Sequence, residues 1–298
     1  MKHPQGLHPR NRHHERYDFK TLIAACPELA PFVSMNTYGV ETIDFAGPDA
    51  VKTLNKALLR TFYGITFWDL PAGYLCPPVP GRADYIHYMA DLLGERNGGV
   101  IPRGKSVKVL DIGMGANCIY PIIGHHEYGW RFVGSDVDAV AIRAAKQIVA
   151  ANSTLAGAVE CRLQPESSAI FKGVVQPGEV FALSICNPPF HASTEEAIAG
   201  TQRKWKNLGM KNMAIAPLNF GGKHSELSYP GGEAAFIRNM ITESAGIPQS
   251  CGWFSSLVSK KSSLPAIYKA LKHVGATDVR TIEMNQGQKT SRVVAWRF

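Results

Sequence analysis

Asn187-Pro188-Pro189-Phe190 is the stretch of this chain whose chemistry reads most directly. It ends the apolar run Phe181–Cys186, which predicts a buried strand. Two consecutive prolines stop that strand, because neither donates a ladder hydrogen bond and each fixes its own φ. The result is a stiff corner at the carboxyl end of a strand, where open α/β sheets bind their ligands. The Asn187 amide offers an acceptor oxygen and two donor hydrogens, and Phe190 offers a stacking face. Together they suit a flat base carrying an exocyclic amine.

A second ligand-forming segment is Val107–Asn117, a strand running into a glycine-containing turn. Gly113, Gly115 and Asn117 are the candidate cofactor contacts there, since glycine lets a backbone approach a ligand closely. The turn is not the dinucleotide fingerprint: Cys118 stands where the third glycine is expected, and the strand carries Asp111. A pyrophosphate site has little use for that carboxylate, whereas a cofactor bearing an amino acid can use it. The next strand ends Gly134-Ser135-Asp136, and Asp136 is the acidic residue placed to grip a ribose diol; Asp138 lies beyond the strand terminus. Gln164 follows the third strand as a candidate contact to an adenine edge. Arg82 closes the proline-rich segment Leu70–Arg82, and its planar fork matches a cofactor carboxylate. His224 and Glu226 read as loop polarity, and no metal-ligand spacing is present.

These residues need elements to position them. Helices are expected at Phe19–Ala25, Pro48–Tyr63 and about Ala83–Leu93, with the first 17 or so residues flexible and Leu70–Arg82 an irregular linker. From there strands alternate with helices. Strands are expected at Lys108–Asp111, Arg131–Ser135, Val159–Leu163, Val180–Cys186, Trp253–Val258, Asp278–Met284 and Arg292–Phe298. Helices are expected after Cys118 and at Val137–Ala151, Gly231–Ala245 and Ser263–His273. The last two strands are joined too briefly for a crossover and must be antiparallel. The expected fold is α/β: a Rossmann-like, seven-stranded, mostly parallel sheet with a C-terminal antiparallel hairpin and an N-terminal helical extension. Residues 1–100 would form the basic arm and extension, and residues 101–298 the catalytic domain.

Composition narrows the class. Hydrophobic residues make up 45% of the 298, enough for a full core, and no apolar run reaches membrane-spanning length. The six cysteines are scattered without a C-x-x-C pair, and with no apolar leader at Met1 this fits a reduced, cytoplasmic protein. The net charge of +8 allows a polyanionic partner. Two basic clusters are candidates for that partner. One contains Arg10 and Arg12 beside several histidines; the other contains Arg203, Lys204, Lys206 and Lys211 around Trp205. Cations interleaved with an aromatic suit phosphate contact and base stacking. The long stretch His191–Ser250 reads as a substrate-facing lid or groove.

The turn Asp111-Ile112-Gly113-Met114-Gly115, Asp136 and the Asn187–Phe190 corner, taken in order, resemble the class I S-adenosylmethionine-dependent methyltransferases. Longer segments resemble the ribosomal RNA large subunit methyltransferase F family: Leu7–His13, Leu75–His87, Phe220–Leu227 and Gln286–Arg292. The resemblance covers nearly the whole chain. It implies S-adenosyl-L-methionine as cofactor, large-subunit ribosomal RNA as partner and the N(6) amine of one 23S adenine as acceptor. It also implies that Arg82 helps hold the cofactor's methionine end. In such a site the Asn187 oxygen and the Pro188 carbonyl would accept the amine hydrogens, Pro189 would stiffen the corner and Phe190 would stack on the base. The residues alone leave other planar amines open: a DNA adenine, a small-nuclear-RNA adenine or a protein glutamine.

Overall fold

The computed structural model describes residues 6–192, 224–286 and 289–298. The basic residues Arg203, Lys204, Lys206 and Lys211, with Trp205, lie outside them.

The chain opens with a strap, residues 6–14, followed by α1 (Phe19–Ala25) and a small antiparallel pair, β1 (Val33–Met35) with β2 (Glu41–Ile43). Next comes α2 (Pro48–Tyr63), with Pro48 in its first turn and Gly64 ending it at φ 67°, a left-handed geometry glycine takes without strain. Its face Val51, Leu54, Leu58 and Leu59 is buried. Helix α3 spans Val79–Glu95, so it begins before the expected start at Ala83. The proline-rich linker ends at Pro78, and Pro80 is tolerated in the first turn, where its missing N–H has no helical acceptor. Arg82 therefore sits on a helix rather than in a loop.

The strands β3 (Lys108–Ile112), β4 (Arg131–Asp136), β5 (Val159–Leu163) and β6 (Leu183–Cys186) form a parallel sheet in the order β5-β4-β3-β6. Helices α4 (Ile119–Tyr128) and α5 (Ala139–Ala151) supply the crossovers after β3 and β4. The register sets Ile112 of β3 opposite both Ser135 of β4 and Cys186 of β6. The glycine turn, Asp136 and Asn187 thus emerge together at one edge of the sheet.

The remaining strands, β7 (Phe254–Val258), β8 (Asp278–Gln286) and β9 (Lys289–Arg297), form an antiparallel group in the order β7-β9-β8. The C-terminal hairpin is as expected. The single seven-stranded sheet is not what the pairing gives: four strands and three strands stand as separate ladders. They are joined by the bridge Phe181–Cys251 and by a run of backbone bonds, Phe181 N to Ser250 O, Gly252 N to Phe181 O, Trp253 N to Ala182 O and Ser184 N to Trp253 O, the last at 2.7 Å. Further along, side chains replace the ladder: Ser255 Oγ takes the Ser184 carbonyl, and the Tyr85 hydroxyl takes the Cys186 N–H.

The flexible terminus expected for the first 17 or so residues is also corrected from Gly6 onward. His8 N and Asn11 Nδ2 both donate to Asp84, and Asn11 Nδ2 also reaches the Pro80 carbonyl at 2.9 Å. His13 bonds the Tyr63 hydroxyl. The strap is docked on α3 at both sides of Arg82. Buried side chains from either side of residue 100 share one core, including Leu58, Tyr85, Val109 and Trp253. None of the described helices is long and apolar enough to cross a membrane.

Candidate active site

A cavity of about 500 Å³ opens where β3, β4 and β6 end. Gly113, Gly115 and Asn117 line one side, Asp136 and Gln164 another, and Arg82, Asn187 and Pro189 a third. The corner and the glycine turn, far apart in sequence, face the same space.

The turn is built from left-handed backbone: φ is 68° at Gly113 and 63° at Gly115. Cys118 also adopts φ 54°, alone among the described non-glycine residues, at the position of the missing third glycine. Gly134 keeps the turn close to β4, because a Cβ there would lie 2.4 Å from Met114 Sδ. Asp136 braces the turn directly. Its oxygens accept the N–H groups of Gly115 and Asp138, each at 2.9 Å. Asp138 has a different task. It caps α5 by accepting the Val140 N–H at 2.7 Å, and Tyr74 donates to its other oxygen. Asn117 Oδ1 accepts the N–H of Ile119, the first residue of α4.

Asp111 is the anomaly. It is fully buried, and neither carboxylate oxygen has a hydrogen-bond partner. Burial first, and the Asp136 charge second, push its pKa well above the usual carboxylate range; Arg82 pulls the other way. Burial also raises Asp136, against the pull of its backbone hydrogen bonds.

Arg82 is nearly buried and donates from Nη1 to two oxygens, Asn187 Oδ1 and the Tyr120 hydroxyl, both at 2.9 Å. A guanidinium only donates, so this bond turns the amide oxygen of Asn187 toward Arg82. Pro188 is buried, while Phe190 is half-buried and outside the cavity wall. Gln164 lines the cavity, but its amide is engaged in bracing the loop behind it. Nε2 donates to the Lys172 carbonyl at 2.8 Å, and Oε1 accepts the Glu166 N–H at 3.0 Å. That loop brings Ala169 and Ile170 to the wall, and Glu243 fastens it by accepting the Ile170 and Phe171 N–H groups.

Arg10 and Arg12 stand away from the cavity. Arg10 bonds Tyr128, the His87 carbonyl and Asp91; Arg12 pairs with Glu127 at 2.6 Å. Sequence reasoning missed Tyr120, Tyr85 and the loop wall, which carry no motif of their own. It also set Glu226 aside as loop polarity. The structure puts Glu226 on the cavity wall, where Oε2 accepts the Leu75 N–H at 3.0 Å. A bridge between His191 and Ser228 closes the described ends of the insertion beside the Asn187–Phe190 corner. No cluster of three metal-ligating side chains occurs among the described residues.

Comparison with known proteins agrees with this geometry. A family model described as RNA methyltransferase matches residues 1–298. The chain is 58% identical to the ribosomal RNA large subunit methyltransferase F of Photobacterium profundum, over 99% of this chain and 92% of that protein. The protein of the same name from Yersinia enterocolitica is 57% identical over 100% of this chain and 89% of its own length. Among solved structures, the hMettl16 catalytic domain in complex with MAT2A 3'UTR hairpin 1 superposes with a TM-score of 0.82 at 30% identity, covering 99% and 96% of the two chains. The N-terminal domain of human METTL16 in complex with SAH gives 0.77 at 27% identity, covering 99% of each. A sheet edge with this corner, this glycine turn and relatives of this length leaves one assignment: the chain belongs to the RNA methyltransferase family.

Proposed function

We propose that this protein methylates the N(6) amine of one adenine in 23S ribosomal RNA, using S-adenosyl-L-methionine, in the cytoplasm. The observation that carries the reading is the shared cavity of Asn187, the glycine turn and Asp136, with the unmatched Asp111 carboxylate, buried and outside the cavity wall, one residue before the end of β3.

The residues present fit that cofactor. Asp111 has two buried acceptor oxygens and no donor, the complement of an α-ammonium group. Arg82 offers guanidinium hydrogens to a carboxylate, and Asp136 offers its remaining lone pairs to ribose hydroxyls. Ala169 and Ile170 give an apolar wall for a purine. When bound, S-adenosylmethionine supplies a methyl on an electron-poor sulfur, so that N–C bond formation from the amine lone pair displaces a neutral thioether.

The chain's own task is to make the amine attack. An adenine amine is a poor nucleophile because its lone pair is delocalised into the ring. Asn187 Oδ1 and the Pro188 carbonyl accept its two hydrogens and favour the localised lone pair. As positive charge develops on nitrogen, both acceptors are already oriented, which is preorganised electrostatic stabilisation. Arg82 occupies one lone pair of Oδ1 and leaves the other for the base. Phe190 stacks on the ring, worth about 1–3 kcal/mol. Water takes the leaving proton. The adenine must be unpaired or flipped to reach the corner. Arg203, Lys204 and Lys206 are assigned to phosphate contacts, with Arg10 and Arg12 as secondary candidates.

Asn187→Ala tests the reading. Methyl transfer to 23S RNA should fall by about a hundredfold or more. Binding of S-adenosylhomocysteine, followed by calorimetry, should change little. Parallel assays with DNA and protein substrates decide the acceptor class: methyl label in either, with RNA unlabelled, would end the RNA reading.

A further inference from the structure

Tyr85 lies three residues after Arg82 on α3, and its side chain is fully buried. Its hydroxyl stands between β6 and β7, 3.3 Å from the Cys186 backbone nitrogen and 2.8 Å from Ser255 Oγ. Ser255 Oγ is 2.6 Å from the Ser184 carbonyl. Donor and acceptor counts fix the proton directions. A carbonyl only accepts, so the single Ser255 hydroxyl hydrogen goes to Ser184. Ser255 Oγ then accepts from Tyr85, and the Tyr85 oxygen accepts the Cys186 N–H. The relay leaves β6 at the residue before Asn187 and returns to β6 at Ser184.

A continued parallel ladder would have used that N–H and that carbonyl for β7 backbone. The tyrosine wedge takes them instead. Two side chains of α3 thus grip consecutive residues: Tyr85 holds the main chain of Cys186, and Arg82 holds the side chain of Asn187. Tyr120 ties the pair together, bonded to Arg82 and edge-on to the Tyr85 ring at 5.4 Å.

We propose that Tyr85, held by Ser255, is a positioning residue for methyl transfer. It fixes the main chain entering Asn187, and with it the place of the amide oxygen. It touches no reacting atom. The proposal rests on the reading of Asn187 given above, and its test separates the two.

The experiment uses the full chain and single-turnover methyl transfer to 23S RNA, with S-adenosylhomocysteine and RNA affinities measured alongside. The variants are Tyr85→Phe, Ser255→Ala, Asn187→Asp and the double variant Tyr85→Phe/Asn187→Asp. Tyr85→Phe should slow the chemical step by about tenfold or more, the scale of a displaced catalytic group. Both affinities should stay within about twofold of wild type. In the Asn187→Asp background the same change should cost less than about twofold, because the group through which it acts is already altered. Ser255→Ala should show the same pattern more weakly, and it carries the test should Tyr85→Phe not fold. An equal loss in both backgrounds, or a loss seen only as weaker binding, would reduce Tyr85 to a structural residue. Asn187→Asp as fast as wild type would instead remove the reading of the corner, and this proposal with it.

Discussion

Two buried carboxylates of this fold behave differently. Asp84, under the N-terminal strap, is 2% exposed; Asp111, one residue before the end of β3, is 0% exposed. Burial raises the pKa of both. Asp84 accepts hydrogen bonds from the His8 backbone and the Asn11 amide, which pull its pKa back down. Asp111 accepts none. Burial of a charged group therefore does not mark function by itself. A matched carboxylate holds two pieces of the fold together, and an unmatched one needs another account, for which a ligand is the reading proposed above.

The sharpest way to break that comparison is Asp111→Asn. Removing an unmatched buried charge should raise the unfolding midpoint of the free protein. It should also weaken S-adenosylhomocysteine binding by at least roughly thirtyfold, from the ~2–5 kcal/mol lost when a buried charged partner is truncated. The pH dependence has a definite sign. The folded pKa of Asp111 lies above its ordinary 3.8, so the folded state keeps a proton that the unfolded chain releases. The stability this gives is complete below the unfolded pKa and disappears as pH rises through the folded one. Thermal melts from pH 4 upward should therefore show wild type falling away from Asp111→Asn. Parallel melting curves with unchanged affinity would show that Asp111 is as structural as Asp84.

What the sequence made legible follows the same division. Asn187, Asp136 and the Gly113–Gly115 turn were readable because backbone chemistry restricts which residues can stand there. Strand position alone favours Asp136 over Asp138 for a ribose, and in the structure Asp138 is engaged in capping α5. The strap was not readable. Its contacts join residues such as Asn11 and Asp84, far apart in sequence, and no local period records them. The start of α3 was hidden because Pro78 and Pro80 look like breakers, although a first helical turn accepts proline. Strands β1 and β2 are three residues each, too short for alternation to register. The Tyr85 wedge that interrupts the sheet is one hydroxyl reaching across the fold from α3, again with no local pattern.

Asn11→Ala probes the matched side. It removes a donor to Asp84 and to the Pro80 carbonyl, leaving Asp84 with the His8 N–H. Stability should drop by about 1–3 kcal/mol, the cost of a buried polar group losing its partner. Urea unfolding measures it. Because Pro80 and Asp84 flank Arg82 on α3, a small loss of cofactor affinity, within about threefold, is compatible with a strap that only supports the helix. A loss as large as that of Asp111→Asn would mean that strap and cavity act as one site.

Arg12→Ala gives the smallest effect and the finest distinction. Its pair with Glu127 is short, at 2.6 Å, but the Arg12 side chain is 48% exposed. The Glu127 side chain is only 11% exposed, so losing the cation should cost about 1 kcal/mol, slightly more than for a pair exposed on both sides. The exposure of Arg12 itself means that the cation can turn to a phosphate at little cost. Arg10 differs, because its guanidinium is divided among Tyr128, the His87 carbonyl and Asp91. If Arg12 contacts RNA, the salt dependence of RNA binding should lose a slope of about one, with no change in the chemical step. Arg10→Ala should instead lower stability more and leave the slope nearly intact. Equal slopes for wild type and Arg12→Ala would make the strap wholly structural and leave RNA contact to other cations, including those of 203–211.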